Sequence, residues 1–218
     1  MTSLERHTCM AETLYWLNDT DGDTIPDDVT VRFSIDLASG VAAREFWSRL
    51  LSLTAITGLR SIALPFPLAY PAGTATAQDD IDQLRISSLA DLDQLFTLPE
   101  ASNVHESGAP TTSCLCRLFT IDGALIDHDG DLVGDGTRIR FDLPDELSAS
   151  LGSSLANLTA RIGLESGGID LPLLGRGPAT FRVRPDTGPA SVEVVEDGWL
   201  ASGQPNELAA LINKLAAE

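Results

Sequence analysis

Hydrophobic and polar residues alternate in two stretches of this chain that lie far apart yet match position for position. Val29, Val31, Phe33 and Ile35 take every second place in the first, and Thr137, Ile139, Phe141 and Leu143 do so in the second. A period of two with one apolar face predicts a half-buried strand. Apolar residues at helical spacing come next: Phe46, Leu50 and Leu53 after the first stretch, and Leu147, Leu151, Leu155, Leu158 and Ile162 after the second. A glycine closes each stripe, Gly58 and Gly163, and the pattern predicts both as left-handed helix C-caps. Leu-Pro then recurs in S-I-A-L-P-F-P-L at 61–68 and G-I-D-L-P-L-L at 168–174. Both segments are expected to be short strands, with proline marking a sheet edge or a strand end.

A short apolar strand also opens each copy, L-Y-W-L at 14–17 and G-A-L-I at 123–126. The second copy continues with expected strands at 180–184 and 190–196, a turn at Glu196-Asp197-Gly198, a strand at 199–202 and a helix over 206–217. That helix carries Leu208, Leu211, Ile212 and Leu215 on one face. The first copy has a shorter counterpart, Q-L-R-I-S-S followed by L-A-D-L-D-Q-L-F. The expected fold is therefore α/β (α+β): internally duplicated β-loop-β-α-β units, each a small mixed sheet covered on one face by helices. The organisation read from the sequence is an N-terminal extension at 1–9, a first repeat at 10–98, a linker rich in Pro, Ser, Thr and Gly at 99–113, and a second repeat at 114–218. The two repeats are expected to have separate cores.

Between the first two strands of each copy lies an acidic loop, D-T-D-G-D-T-I-P-D at 19–27 and D-H-D-G-D-L-V-G-D at 127–135. All four Asp positions and the Gly return 108 residues later, from Asp19 to Asp127. Four carboxylates within nine residues repel one another unless a cation sits among them. A hard divalent ion with oxygen ligands fits, and calcium, which takes six to eight oxygens, fits best. An EF-hand is excluded: it needs Gly at position 6 and Glu at position 12, whereas here Gly is at position 4 and position 12 is Thr30 or Arg138.

The D-x-D-G-D-x-x-x-D spacing resembles the loops of FG-GAP/VCBS-type repeats, found in integrin-like propellers and many secreted bacterial proteins. The resemblance covers only the two loops. It implies ligation through positions 1, 3, 5 and 9 with a backbone carbonyl from position 7. Two Ca2+ sites follow: Asp19, Asp21, Asp23, Asp27 and the Ile25 carbonyl, then Asp127, Asp129, Asp131, Asp135 and the Val133 carbonyl.

The chain has 218 residues, 43% of them apolar, which is enough for a proper core. Its net charge is −18, spread over both halves. Such a surface disfavours nucleic acid and anionic membranes, because phosphate binding needs clusters of Lys and Arg. Lys214 is the one lysine, a bias that suits a GC-rich genome or a salt-adapted organism. No apolar run reaches transmembrane length, so no membrane insertion is expected, and M-T-S-L-E-R-H-T-C does not read as a signal peptide. The setting is then cytoplasmic, or extracellular or cell-envelope as part of a longer chain. Scarce cytosolic calcium favours the second.

Catalytic signals are weak. I-D-H-D-G-D-L-V at 126–133 is similar to the first motif of haloacid-dehalogenase-like phosphatases, which would make Asp127 the nucleophile and Asp129 the general acid, with magnesium. Asp131 stands where that family has Thr, the sole lysine lies in the last helix, and a strand follows the loop. His7, Cys9, Cys114 and Cys116 lack the paired spacing of a zinc site, and C-x-C on a strand reads as buried small residues. His105 falls in the linker, and His128 at loop position 2 reads as a solvent-facing bystander. Trp16, Trp47 and Trp199 read as core. No nucleophile elbow, P-loop or dinucleotide fingerprint is present. The expected function is a non-catalytic, calcium-binding and calcium-stabilised accessory or interaction module with a protein or carbohydrate partner, set among adjacent domains of a longer chain.

Overall fold

The structure is a computed structural model that describes residues 14–23, 26–74, 81–95 and 115–217. The extension, the linker with His105, and Ile25, Cys9 and Cys114 lie outside the described residues. The class is α+β with small sheets. In the first repeat β1 (Leu17–Asn18) and β2 (Asp28–Val29) form the hairpin that carries the acidic loop. β3 (Val31–Ile35) lies between β5 (Ala69–Pro71) and β6 (Asp82–Ile86) in a parallel sheet of order β5-β3-β6. β4 (Val41–Ala43) leads into helix α1 (Arg44–Leu59), and α2 (Leu89–Leu95) follows β6.

The second repeat starts with a 3-10 turn at Leu115–Phe119 and repeats the plan. β7 (Leu125–Ile126) pairs with β8 (Gly136–Thr137), and β9 (Ile139–Asp142), β10 (Glu146–Ser148) and α3 (Ala149–Leu164) follow. β11 (Ala179–Pro185), β12 (Ser191–Val195) and β13 (Gly198–Gly203) complete a sheet of order β12-β13-β11-β9 before α4 (Pro205–Ala217). Cys116 lies on the 3-10 turn rather than on a strand.

Several expectations from the sequence are corrected here. β3 and β9 are buried on both faces, not half-buried: Arg32 and Ser34, and Arg140 and Asp142, are as enclosed as the apolar residues beside them. The alternation separates an apolar buried face from a polar buried face. The two long helices are enclosed more fully than an amphipathic cover with one solvent face, since from Leu50 to Gly58 and from Leu151 to Ala160 every residue is buried. Their small polar residues manage this by bonding back into their own helix. Thr54, Thr57 and Ser154 each donate to the carbonyl four residues earlier, at 3.0, 3.0 and 2.9 Å. The Leu-Pro segments are not strands: β5 begins at Ala69, beyond Pro67, and a single bridge joins Leu174 to Phe141. Proline offers no amide to a ladder, so pairing begins only after Pro67, and the strand ends on the next proline, Pro71.

Gly58 and Gly163 are not caps. Both sit inside their helices without left-handed φ, and Arg60 and Glu165 occupy the C-cap positions. A Cβ on Gly58 would overlap the Ala160 carbonyl, and one on Gly163 would overlap the Ala55 carbonyl. The contact is reciprocal, because Ala55 and Ala160 are themselves mates in the repeat. Thr54 Oγ1 lies 2.8 Å from Thr159 Oγ1, its mate 105 residues on. Leu147 was expected to open the helical stripe but lies on β10, where it pairs with its mate Ala42 at the centre of the antiparallel β4–β10 ladder. The halves are thus related by a local two-fold axis of the kind that joins identical subunits. One hydrophobic cluster runs through both, from Trp16, Phe33 and Leu53 to Phe141, Leu155 and Trp199, so the expected separate cores are a single core.

One contact breaks the symmetry. Asn157 of α3 accepts from the Ala69 amide at 2.7 Å and donates to the Ala69 carbonyl at 2.9 Å, sealing the free edge of β5 in the other repeat. Asn157→Leu strands both backbone groups away from water, so a loss of about 2–4 kcal/mol is expected in chemical denaturation. A change under about 0.5 kcal/mol would show that solvent reaches the edge.

Candidate metal centres

Each acidic loop is closed by a ladder that recurs bond for bond. The position 9 amide donates to the residue before the loop, Asp27 to Asn18 at 2.9 Å and Asp135 to Ile126 at 2.7 Å. Further out, Thr30 donates to Trp16 and Arg138 to Ala124, both at 2.9 Å. Within the loops the position 4 amide donates to the position 1 carboxylate at 2.6 Å, Gly22 to Asp19 and Gly130 to Asp127. The position 5 amide donates to position 3 at 3.1 Å, and the position 2 amide to position 9 at 2.8 Å, in both copies. Gly22 and Gly130 have φ of 82° and 84°, left-handed values that favour glycine and account for the conserved position within the chain.

These bonds draw three carboxylates of each loop together. In Asp19, Asp21 and Asp27, and in Asp127, Asp129 and Asp135, one oxygen from each residue lies within 4.8 Å of the others. Asp23 and Asp131 at position 5 stand outside the triads, and Asp131 accepts from the Val133 amide at 2.8 Å. Val133 and Leu132 are exposed at the tip of the second loop. Ile25 lies outside the described residues. His128 is exposed, with its amide on Asp135.

Hydrogen bonding outweighs desolvation at two of these carboxylates. The Thr20 hydroxyl, then the Thr20 amide, holds Asp27 below the usual carboxylate range. The Gly130 amide, followed by those of Leu132, Asp129 and Asp131, does the same for Asp127. The groups therefore stay ionised through the neutral range. A carboxylate has about four lone-pair sites, so the two full amide bonds at Asp127, from Gly130 and Leu132, leave capacity for a cation. Three oriented carboxylates with open solvent on one side suit a hard divalent ion.

The sequence pattern did not reveal what anchors the loops from below. The position 8 carbonyl accepts from the segment after the helix, Pro26 from the Ile62 amide at 3.2 Å and Gly134 from the Gly167 amide at 2.5 Å. Ser61 and Ser166 start these segments, each bonded to the residue two places on, and their matching places were the available signal. In the second repeat Asp170 adds a brace, accepting from the Thr137 amide and donating its own amide to the Thr137 hydroxyl, both at 3.2 Å. The three tryptophans are fully buried: Trp16 in the turn before β1, Trp47 on α1 and Trp199 on β13. Comparison with known protein families, curated proteins and solved structures finds no match to this chain. No described helix is long and apolar enough to cross a membrane.

Proposed function

We propose that this protein is a non-catalytic calcium-binding module, stabilised by an ion in each acidic loop and serving as an accessory or interaction unit of an extracellular or cell-envelope protein. The observation that carries the reading is the congruence of the two triads, which share three amide-to-carboxylate hydrogen bonds at equal distances although the residues at positions 2, 6, 7 and 8 differ. Shared geometry on unshared side chains points to a common demand on the carboxylates. Each loop joins strands that run directly into the core at Val31 and Ile139, so the ion acts as a staple on a hairpin. It opens no groove of the kind that sensor EF-hands expose.

Calorimetric titration tests this. Wild-type protein is expected to bind two Ca2+, Asp21→Ala to lose the first site and Asp129→Ala the second. Absence of any heat at millimolar Ca2+ sinks the reading. If either substitution removes both events, the loops act as one site through the shared helix pair. Tight Mg2+ binding at the second loop alone, with phosphatase activity lost in Asp127→Asn, favours the phosphotransfer alternative instead.

A further inference from the structure

The two repeats supply an internal comparison for each other's sheets. β6 takes the same register on β3 that β11 takes on β9: Val31 faces Asp82 and Phe33 faces Leu84, while their mates Ile139 and Phe141 face Ala179 and Phe181. Position by position, Asp82, Gln83, Leu84, Arg85 and Ile86 stand for Ala179, Thr180, Phe181, Arg182 and Val183. The correspondence extends to chemistry, since both Arg85 and Arg182 make ion pairs, with Asp36 and Asp197.

The outer side of the two strands differs. β11 is covered by β13, which runs parallel to it with Gly198 on Thr180, Trp199 on Phe181 and Ala201 on Val183. Among the described residues no strand pairs with the outer edge of β6. Burial follows suit. Ala179, Thr180, Phe181 and Val183 are buried, whereas Asp82 and Gln83 are exposed and Leu84 is half-buried. The opposite edge of this sheet is closed by Asn157, so among the described residues the unpaired edge is on one side only.

We infer that the β6 edge is a strand-acceptor site. It takes an extended segment of a partner protein, parallel to β6, with apolar residues at alternate positions in the manner of Trp199 and Ala201 on β13. Main-chain hydrogen bonds supply affinity and the alternate side chains supply selectivity. The net charge of −18 draws a segment flanked by Lys or Arg. The inference rests on the interaction part of the proposed function and not on its metal part.

The full-length protein is tested with a synthetic peptide, the β13 sequence G-W-L-A-S-G flanked by lysines, followed by hydrogen exchange. Amides within 82–86 are expected to exchange about ten-fold more slowly when the peptide saturates. A peptide N-methylated at its Trp and Ala, the residues whose amides face the neighbouring strand in β13, lacks those ladder donors and should leave the exchange unchanged. Several outcomes overturn the inference. One is protection at 82–86 already complete in the free monomer, since the chain would then close its own edge. A second is protection that appears only with a concentration-dependent dimer, since a second copy would then be the occupant. A third is protection that changes at 179–185 instead. Ca2+ titration of the same sample separates the two readings: peptide failure with intact cation binding leaves the metal sites standing.

Discussion

Gly58→Ala and Gly163→Ala are each expected to destabilise the protein by about 3 kcal/mol or more, read as a fall of roughly 10 °C in Tm. Intrinsic preference runs the other way, because alanine in a helix interior is favoured over glycine by about 1 kcal/mol. The sign of the effect therefore decides between propensity and packing. At both positions the added methyl would meet a backbone carbonyl of the facing helix, Ala160 or Ala55, and not the end of a flexible side chain. The helices must separate to admit it, and with them Thr54 from Thr159 and the apolar residues on either side. Thermal denaturation followed by circular dichroism measures this directly. A stabilised alanine variant would mean that the helices part at no cost.

Removal of divalent cations is expected to have an effect at least as large. A ligand held only by the folded state stabilises it by mass action, about 4 kcal/mol for each site at a free concentration a thousand times its Kd. Excess chelator should lower Tm by roughly 10 °C or more for each site emptied, and because the repeats share a core the melt should remain a single transition. Acid should act in the same direction. Asp27 and Asp127 have lowered pKa values in the folded chain, so their hydrogen bonds stabilise it fully above the ordinary carboxylate range. That contribution is lost as pH falls through the lowered values. Melting curves at pH 7 and pH 3, with and without chelator, check both effects. Identical curves in chelator and in millimolar Ca2+ remove the structural role of the ions.

The duplication, the acidic loops and most elements were legible in the sequence because each rests on local chemistry. The helix over 206–217 needs only its apolar face, and it is found at Pro205–Ala217. The strands expected at 180–184, 190–196 and 199–202 correspond to β11, β12 and β13. What failed was whatever another part of the chain decides. A glycine near a helix end looks the same whether it turns the chain or admits a neighbouring helix, and at Gly58 and Gly163 the neighbour was the reason. Likewise the alternation at Val31 to Ile35 cannot distinguish a polar face in water from one enclosed by the fold. In the loops, spacing alone made four carboxylates equivalent, whereas the folded hairpins set Asp23 and Asp131 apart from their triads.

Asn157 carries one more implication. Its mate by position is Ser52, whose hydroxyl bonds at 2.8 Å to the Ser48 carbonyl of its own helix and reaches no strand. In an assembly of identical subunits every substitution is made twice, once on each side of the axis, and must be tolerated in both places at once. A single chain that contains its own partner is free of that demand. The service Asn157 performs for Ala69 is not returned, so α3 has acquired a role that α1 does not share. Symmetry survives along the axis, at Thr54 and Thr159 and at the paired glycines. Away from it the halves have been free to specialise, one with a sealed strand on one side and a strand on the other that nothing pairs with among the described residues, its sibling with the extra strands that fill the same place.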